Sequence, residues 1–281
     1  MIAWVDGEWL EEGNASVPIT DRGFLGADAV FETAHLYEGG FFRLERHLER
    51  LEQSAAVLRI PLPARSTLRD AAFQLAQRNA LTDGSLRITV TRGSGKGSLV
   101  VATIAPVSAA WREKAERGWT LITARVRTPP ATVVPHVVKT TGRIWSLLAR
   151  QEAADAGVDD ALLLTVDGHV AEGPSWNIFW RRGDVLYTPG LETGILDGVT
   201  RAEVIALTAT LGLRAEEGMY GRDALDYADE ILATMSSVGP VNIRVLDRRP
   251  LPEPELGPRL RSAYWAAVAA HVERPAGTEP A

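Results

Sequence analysis

Short β-prone runs joined by glycine-bearing turns recur along this chain, and they restrict its possible folds more than any other feature. IAWV and EWL flank Asp6-Gly7, a two-residue hairpin signal. AVFETAHLY turns through EGG into FFRL, and LRITVTR turns through GSGKG into SLVVATIA. Further on, ALLLTV is joined by Asp-Gly to HVAE, and NIFW by RRGD to VLYT. Runs joined this tightly pair with their neighbours as antiparallel strands. Helical patterns lie between them. Leu44, Leu48, Leu51, Ala55 and Leu58 keep to one face of a helix predicted over 44–58, and a second helix is expected over about 66–79. Strands with helices packed on them give an α+β or α/β chain.

The order of elements suggests two domains. Around 107–118 the chain turns polar and helical, and at Trp119 strand formation restarts with WTLITARV. The division expected is 1–117, a smaller α+β domain, and 118–281, a larger one. The second half is expected to hold the Lys139 segment and its helix, the two turned pairs, a helix over about 200–211, strands near 230–235 and 242–246, and a C-terminal helix. The tail past Arg274 is expected to fray. A length of 281 residues suits two domains better than one.

Composition excludes several functions. Hydrophobic residues at 46% and charged residues at 23% describe a globular chain that stays in water. With a net charge of −6 and no basic cluster apart from acids, neither nucleic acid nor an acidic membrane surface is an expected partner. The absence of cysteine rules out disulfides, thiolate metal sites and a cysteine nucleophile. The five histidines lack metal-ligand spacing. No secretory signal and no apolar run of about 20 residues is visible, so a cytoplasmic protein is expected.

Three of the 30 basic residues are lysines, at 96, 114 and 139. Lys139 follows a Val-rich run, VVPHVVK, and precedes an amphipathic stretch. It could be a lysine whose stem covers apolar surface. Arginine would serve that purpose as well, and this chain prefers arginine. A partly buried lysine can lose its proton and attack a carbonyl, which arginine cannot do.

Glu172 ends the run HVAE before Gly173-Pro174. It is either an exposed acid at a turn or a carboxylate fixed on a strand end for a ring nitrogen. Thr200-Arg201-Ala202-Glu203 fits a capping box, and the N–H groups of Gly198 and Val199 would face a phosphate at a positive helix end. Arg50, among Glu45, Glu49 and Glu52, is either part of a solvated ion-paired face or a phosphate clamp. RGSGKGS lacks phosphate-loop spacing and is expected to be a hairpin turn.

Taken in order, DRGFLGADAVFETAHLYEGGFFRLERHLERL, KTTGRIWSLLARQEA, VDGHVAEGPSWNIFW with GDVLYTP, GILDGVTRAEVI and YADEILATMSSVGPV resemble the class IV aminotransferases. These are pyridoxal 5'-phosphate (PLP) enzymes of fold type IV; branched-chain and D-amino-acid aminotransferases and aminodeoxychorismate lyase are among them. The resemblance implies that the larger C-terminal domain is a pseudo-barrel that binds PLP. It implies Lys139 as the Schiff-base lysine that later moves the proton, and Glu172 as partner of the pyridinium nitrogen. Arg50, Leu196, Gly198, Val199 and Thr200 would hold the phosphate, with Ser236 and Ser237 as further contacts. Phe31 and Arg143 would lie near the substrate.

The same resemblance implies a homodimer acting on an amino donor and a 2-oxo acid acceptor, with aminodeoxychorismate lyase as the alternative. There are departures. The GSGKG turn lacks the Arg and His with which D-amino-acid enzymes hold the substrate carboxylate, and Lys96 is the one cation there. Ile144 stands where branched-chain enzymes have Tyr, and Arg143 is closer to the lyases.

Overall fold

Asp6 and Gly7 both take positive φ, 49° and 96°, and close a hairpin between β1 (Ile2–Val5) and β2 (Glu8–Glu11). Glu38 and Gly39 do the same, φ 48° and 78°, between β3 (Ala29–Tyr37) and β4 (Gly40–Phe42). These are the turns their sequences predict. The structure, a computed structural model, describes residues 1–95, 97–135 and 137–275. Lys96 and the end of the tail lie outside them.

The chain forms two compact units. Of the described residues, the first comprises Met1–Val107, Val137–Gly142 and 268–275; the second comprises 108–135 and Arg143–Ala267. This differs from a single cut after residue 117. The segment carrying Lys139 returns to the first unit because it lies along β3: Phe31 N–H donates to the Lys139 carbonyl (2.9 Å) and Thr141 N–H to that of Ala29 (3.1 Å). The short strand Val272–Glu273 returns likewise, pairing with β4. Such returns depend on tertiary pairing and leave no mark in local sequence.

In the first unit, α1 (Arg22–Gly26) starts on Asp21, whose carboxylate accepts from Gly23 and Phe24 N–H. After β4 come α2 (Leu44–Leu58), with the bounds its apolar stripe predicts, α3 (Arg65–Arg78), β5 (Gly84–Thr91) and β6 (Leu99–Ala105). The sheet order is Val272–Glu273, β4, β3, β5, β6, β1, β2. Val30, Ala34 and Leu36 of β3 and Leu86, Ile88 and Val90 of β5 bury one face against Leu44, Leu48 and Leu51 of α2 and Leu68 and Leu75 of α3. Each of the Val, Leu and Ile side chains contributes about 1.5–3 kcal/mol.

The second unit opens with α4 (Ala109–Arg117), capped by Ser108, and β7 (Trp119–Thr128). Then follow α5 (Ile144–Asp155), β8 (Asp160–Thr165), β9 (Asn177–Arg182), β10 (Val185–Pro189), α6 (Val199–Leu207), β11 (Arg214–Gly218), β12 (Glu230–Met235), β13 (Gly239–Leu246), β14 (Arg249–Pro250) and α7 (Leu256–Ala270). Its sheet runs β11, β10, β9, β12, β13, β7, β8, with β14 beside β13. Two parallel pairs form where a helix connects the strands, β7 with β8 across α5 and β10 with β11 across α6, and β13 also lies parallel to β7.

HVAE does not extend into the strand its sequence predicts. It makes isolated bridges, with Leu164 pairing Val170, His169 pairing Gly221 and Glu172 pairing Asn177. Thr165 N–H donates to His169 O on the β8 side, and Val170 N–H donates to Tyr220 O just beyond β11. Residues 169–172 thus join the two edges of the sheet, consistent with a barrel-like closure. Gly173 and Pro174 leave no length for a longer strand.

Candidate active site

Lys139 is held by its main chain before its side chain begins. Its N–H donates to Ser54 Oγ on α2 (3.1 Å), and its carbonyl accepts from Phe31 on β3 (2.9 Å). The side chain, 13% exposed, ends with Nζ 3.5 Å from Glu32 Oε2. Glu32 occupies an inward position of β3, on the face of Val30 and Ala34, where alternation would place an apolar residue. It is 2% exposed. Arg50 clasps it, Nε to Oε1 at 2.6 Å and Nη2 to Oε2 at 2.9 Å, and His47 Nδ1 lies 2.9 Å from Oε2. His47, Arg50 and Ser54 form a buried polar stripe on α2 beside its leucines.

Burial opposes the charged form of Glu32. Arg50, Lys139 and the hydrogen bonds from His47 and Arg50 outweigh it and hold this carboxyl well below the usual range. Burial likewise pushes the His47 pKa down, against the pull of Glu32. Burial thus disfavours the charged imidazole, and Nδ1 stands within hydrogen-bond reach of Glu32. The solvated pairing of Arg50 with its helix neighbours gives way to this inward geometry. Glu45, Glu49 and Glu52 instead reach Arg65 and Arg69 on α3. Phe31 faces the other side of β3, with its ring 5.2 Å from Lys139 Nζ and 3.9 Å from the Arg87 guanidinium carbon.

In the second unit, Glu172 is the convergence point. Arg143, the residue before α5, donates from Nη2 to Oε1 at 2.9 Å. Asn177 Nδ2 (3.3 Å) and Leu196 N–H (3.0 Å) donate to Oε2. Asn177 also donates to Leu196 O at 2.9 Å, so one amide ties the carboxylate to the approach to α6. Gly198 allows this closeness, since a Cβ there would clash with Asn177 Oδ1.

The capping box does not form. The N-cap is Gly198, without a side-chain cap bond, and Thr200 lies inside the helix, its hydroxyl paired with Tyr264. The helix begins at Val199, two residues earlier than a Thr200 cap would give, and its first N–H groups carry no side-chain cap. Ser236 and Ser237 occupy the turn between β12 and β13. Among the described residues neither hydroxyl bonds to the other expected site residues.

The sequence model of the family "Amino-transferase class IV" matches residues 29–246, most of the chain and all the expected site residues. The chain belongs to the class IV aminotransferases. As a class IV aminotransferase it is a PLP-dependent enzyme. It is 33% identical to the aminodeoxychorismate lyase of Bacillus subtilis over 248 residues, 83% of this chain and 82% of that one. It is 29% identical to the D-alanine aminotransferase of Bacillus licheniformis, over 93% of this chain and 94% of that one. The T.th. branched-chain amino acid aminotransferase, solved with N-(5'-phosphopyridoxyl)-L-glutamate, superposes with a TM-score of 0.89 at 30% identity, covering 96% of this chain and 94% of that one.

Taken unit by unit, the residues of this aminotransferase fit PLP in kind: the first has an amine for an aldehyde and an arginine for a phosphate, the second a carboxylate for a ring nitrogen and an uncapped helix start for a phosphate. Sequence reasoning missed Glu32, His47, Ser54, Asn177 and Arg87. For Glu32 a signal existed, a carboxylate in phase with the apolar face of AVFETAHLY. For Asn177 there was none, because its partners come from separate loops.

Proposed function

We propose that the chain transfers an amino group from an amino acid, of the D-, branched-chain or (R)-amine type, to a 2-oxo acid such as 2-oxoglutarate or pyruvate, as a cytoplasmic homodimer. Bound PLP supplies an aldehyde that takes up the amino group and a ring that accepts electrons from the substrate carbon. Lys139 would hold the cofactor through its amine, and that amine would carry the proton moved during the transfer. Glu172, steadied by Arg143, Asn177 and the Leu196 N–H, keeps a proton on the ring nitrogen. Arg50, Leu196, Gly198, Val199 and Thr200 anchor the phosphate, with Ser236 and Ser237 as further contacts.

Phe31 and Arg143 stay assigned to the substrate end, and Arg87 joins them as a cation for a carboxylate. Among the described residues it has no ion pair, bonding to Thr89 and stacking on Phe31. The observation that carries this reading is the nearly enclosed Lys139 amine, delivered by a main chain clamped at both its N–H and its carbonyl.

The lyase remains the second reading, favoured by Arg143 and by the identity to a lyase. A panel of D- and L-amino acids and chiral amines, each followed by the cofactor's absorbance with and without 2-oxoglutarate, separates the two. A transaminase needs the acceptor for turnover, whereas a lyase forms 4-aminobenzoate from aminodeoxychorismate without one. No spectral change with any donor, and no 4-aminobenzoate from aminodeoxychorismate, would leave a binding protein.

A further inference from the structure

Glu32 has no part in the roles assigned above, yet its carboxylate is buried against Arg50, His47 and Lys139. A buried ion pair rarely adds net stability, because desolvation offsets the attraction and apolar replacements are often as stable. The construction therefore calls for a reason beyond packing. The two cations supply one. Arg50 and Lys139 share an enclosed region in which like charges repel, and Glu32 lies against both: 2.6 and 2.9 Å from the guanidinium and 3.5 Å from the amine. His47 adds a hydrogen bond to the same carboxylate.

Resting on the assignment of Lys139 as the reacting amine, we propose that Glu32 is a positioning residue, its carboxylate the shared counter-ion of Lys139 and Arg50. It keeps the amine directed along β3 and favours its proton-bearing form, which strengthens Lys139 as a base when it takes a proton from substrate. Arg50 acts in the opposite sense, competing for the same carboxylate. Among the described residues, charged or titratable groups facing Lys139 include Glu32 from β3, His47 and Arg50 from α2, and Arg87 from β5 across Phe31. Of these, Glu32 alone is an acid.

The test measures the pH dependence of Lys139 acetylation by acetic anhydride in full-length, cofactor-free protein, read by peptide mass spectrometry. Glu32→Gln lowers the midpoint for Lys139 by roughly one unit or more, the usual effect of an opposite charge this close. Glu32→Asp, which keeps the charge, retains a midpoint above that of the Gln variant. Arg50→Gln, which removes the competing cation, raises it, and this carries the test should Glu32→Gln fail to fold.

A purely structural Glu32 would give the same midpoint in every folded variant, and that result overturns the proposal. Borohydride reduction of the holoenzyme, with mapping of the cofactor adduct, keeps the two ideas apart. An adduct on Lys139 with unmoved midpoints defeats the counter-ion role alone. An adduct on another residue removes Lys139 from the reaction and the role of Glu32 with it.

Discussion

At the scale of the residue, the site depends on acids whose partners are fixed before any ligand arrives. Glu172 accepts from Arg143, Asn177 and the Leu196 N–H, so it is oriented by three separate stretches of chain. Glu172→Gln keeps the shape and removes the charge. Its turnover is expected to fall roughly ten- to a hundredfold, equivalent to one or two pKa units of lost stabilisation at the ring nitrogen, with cofactor still bound. Steady-state rates beside cofactor absorbance check this, and an undiminished rate would place the nitrogen's partner elsewhere. Lys139 stood out in the sequence through the rarity of lysine, and Glu172 through its motif. The target of Arg143 was not legible, because its guanidinium reaches a carboxylate 29 positions away. Glu32 was legible in principle, since a charge in phase with Val30, Ala34 and Leu36 must be buried with partners.

At the scale of the element, strong local signals survived folding and weak ones did not. The Leu44–Leu58 helix and the Asp6-Gly7 hairpin formed as their side chains dictate. The strand RAEEG, Arg214–Gly218, has no apolar alternation and exists because β10 offers it a parallel edge. HVAE alternates poorly and stays a set of bridges. The start of α6 departs from its local signal for a related reason: Thr200-x-x-Glu203 has capping chemistry, but packing gave the hydroxyl to Tyr264 and left Gly198 as the cap.

That choice makes Gly198 sensitive. Its φ of −73° suits any residue, so the objection to a side chain is steric: a Cβ would press on Asn177 Oδ1. Gly198→Ala is expected to destabilise the fold by about 1–3 kcal/mol, as overpacking does, and to weaken cofactor retention by displacing Asn177 from Glu172. Thermal unfolding and cofactor titration measure both. Wild-type values in each would mean that the helix start tolerates the methyl group.

At the scale of the whole molecule, apolar surface is left open. Ile19, Phe24 and Leu25 are exposed around α1, as are Ile144, Leu147 and Leu148 along one side of α5. Side chains of this kind seldom remain in water as groups, and a second copy of the chain is the partner we propose for them. Light scattering after gel filtration should give twice the chain mass, and replacing Phe24 and Leu25 by serine should shift it toward one chain. A wild-type monomer at working concentration would remove the homodimer. No described helix is long and apolar enough to cross a membrane, so these patches do not belong to a spanning helix.

These scales meet at the amine of Lys139, set by Ser54 and Phe31 and facing Glu32. Borohydride reduction of the PLP-loaded protein, followed by peptide mapping, tests that most directly. The account predicts a single phosphopyridoxyl adduct on the peptide containing Lys139, lost in Lys139→Ala. An adduct on Lys114 or Lys96, or one that persists in Lys139→Ala, would contradict it.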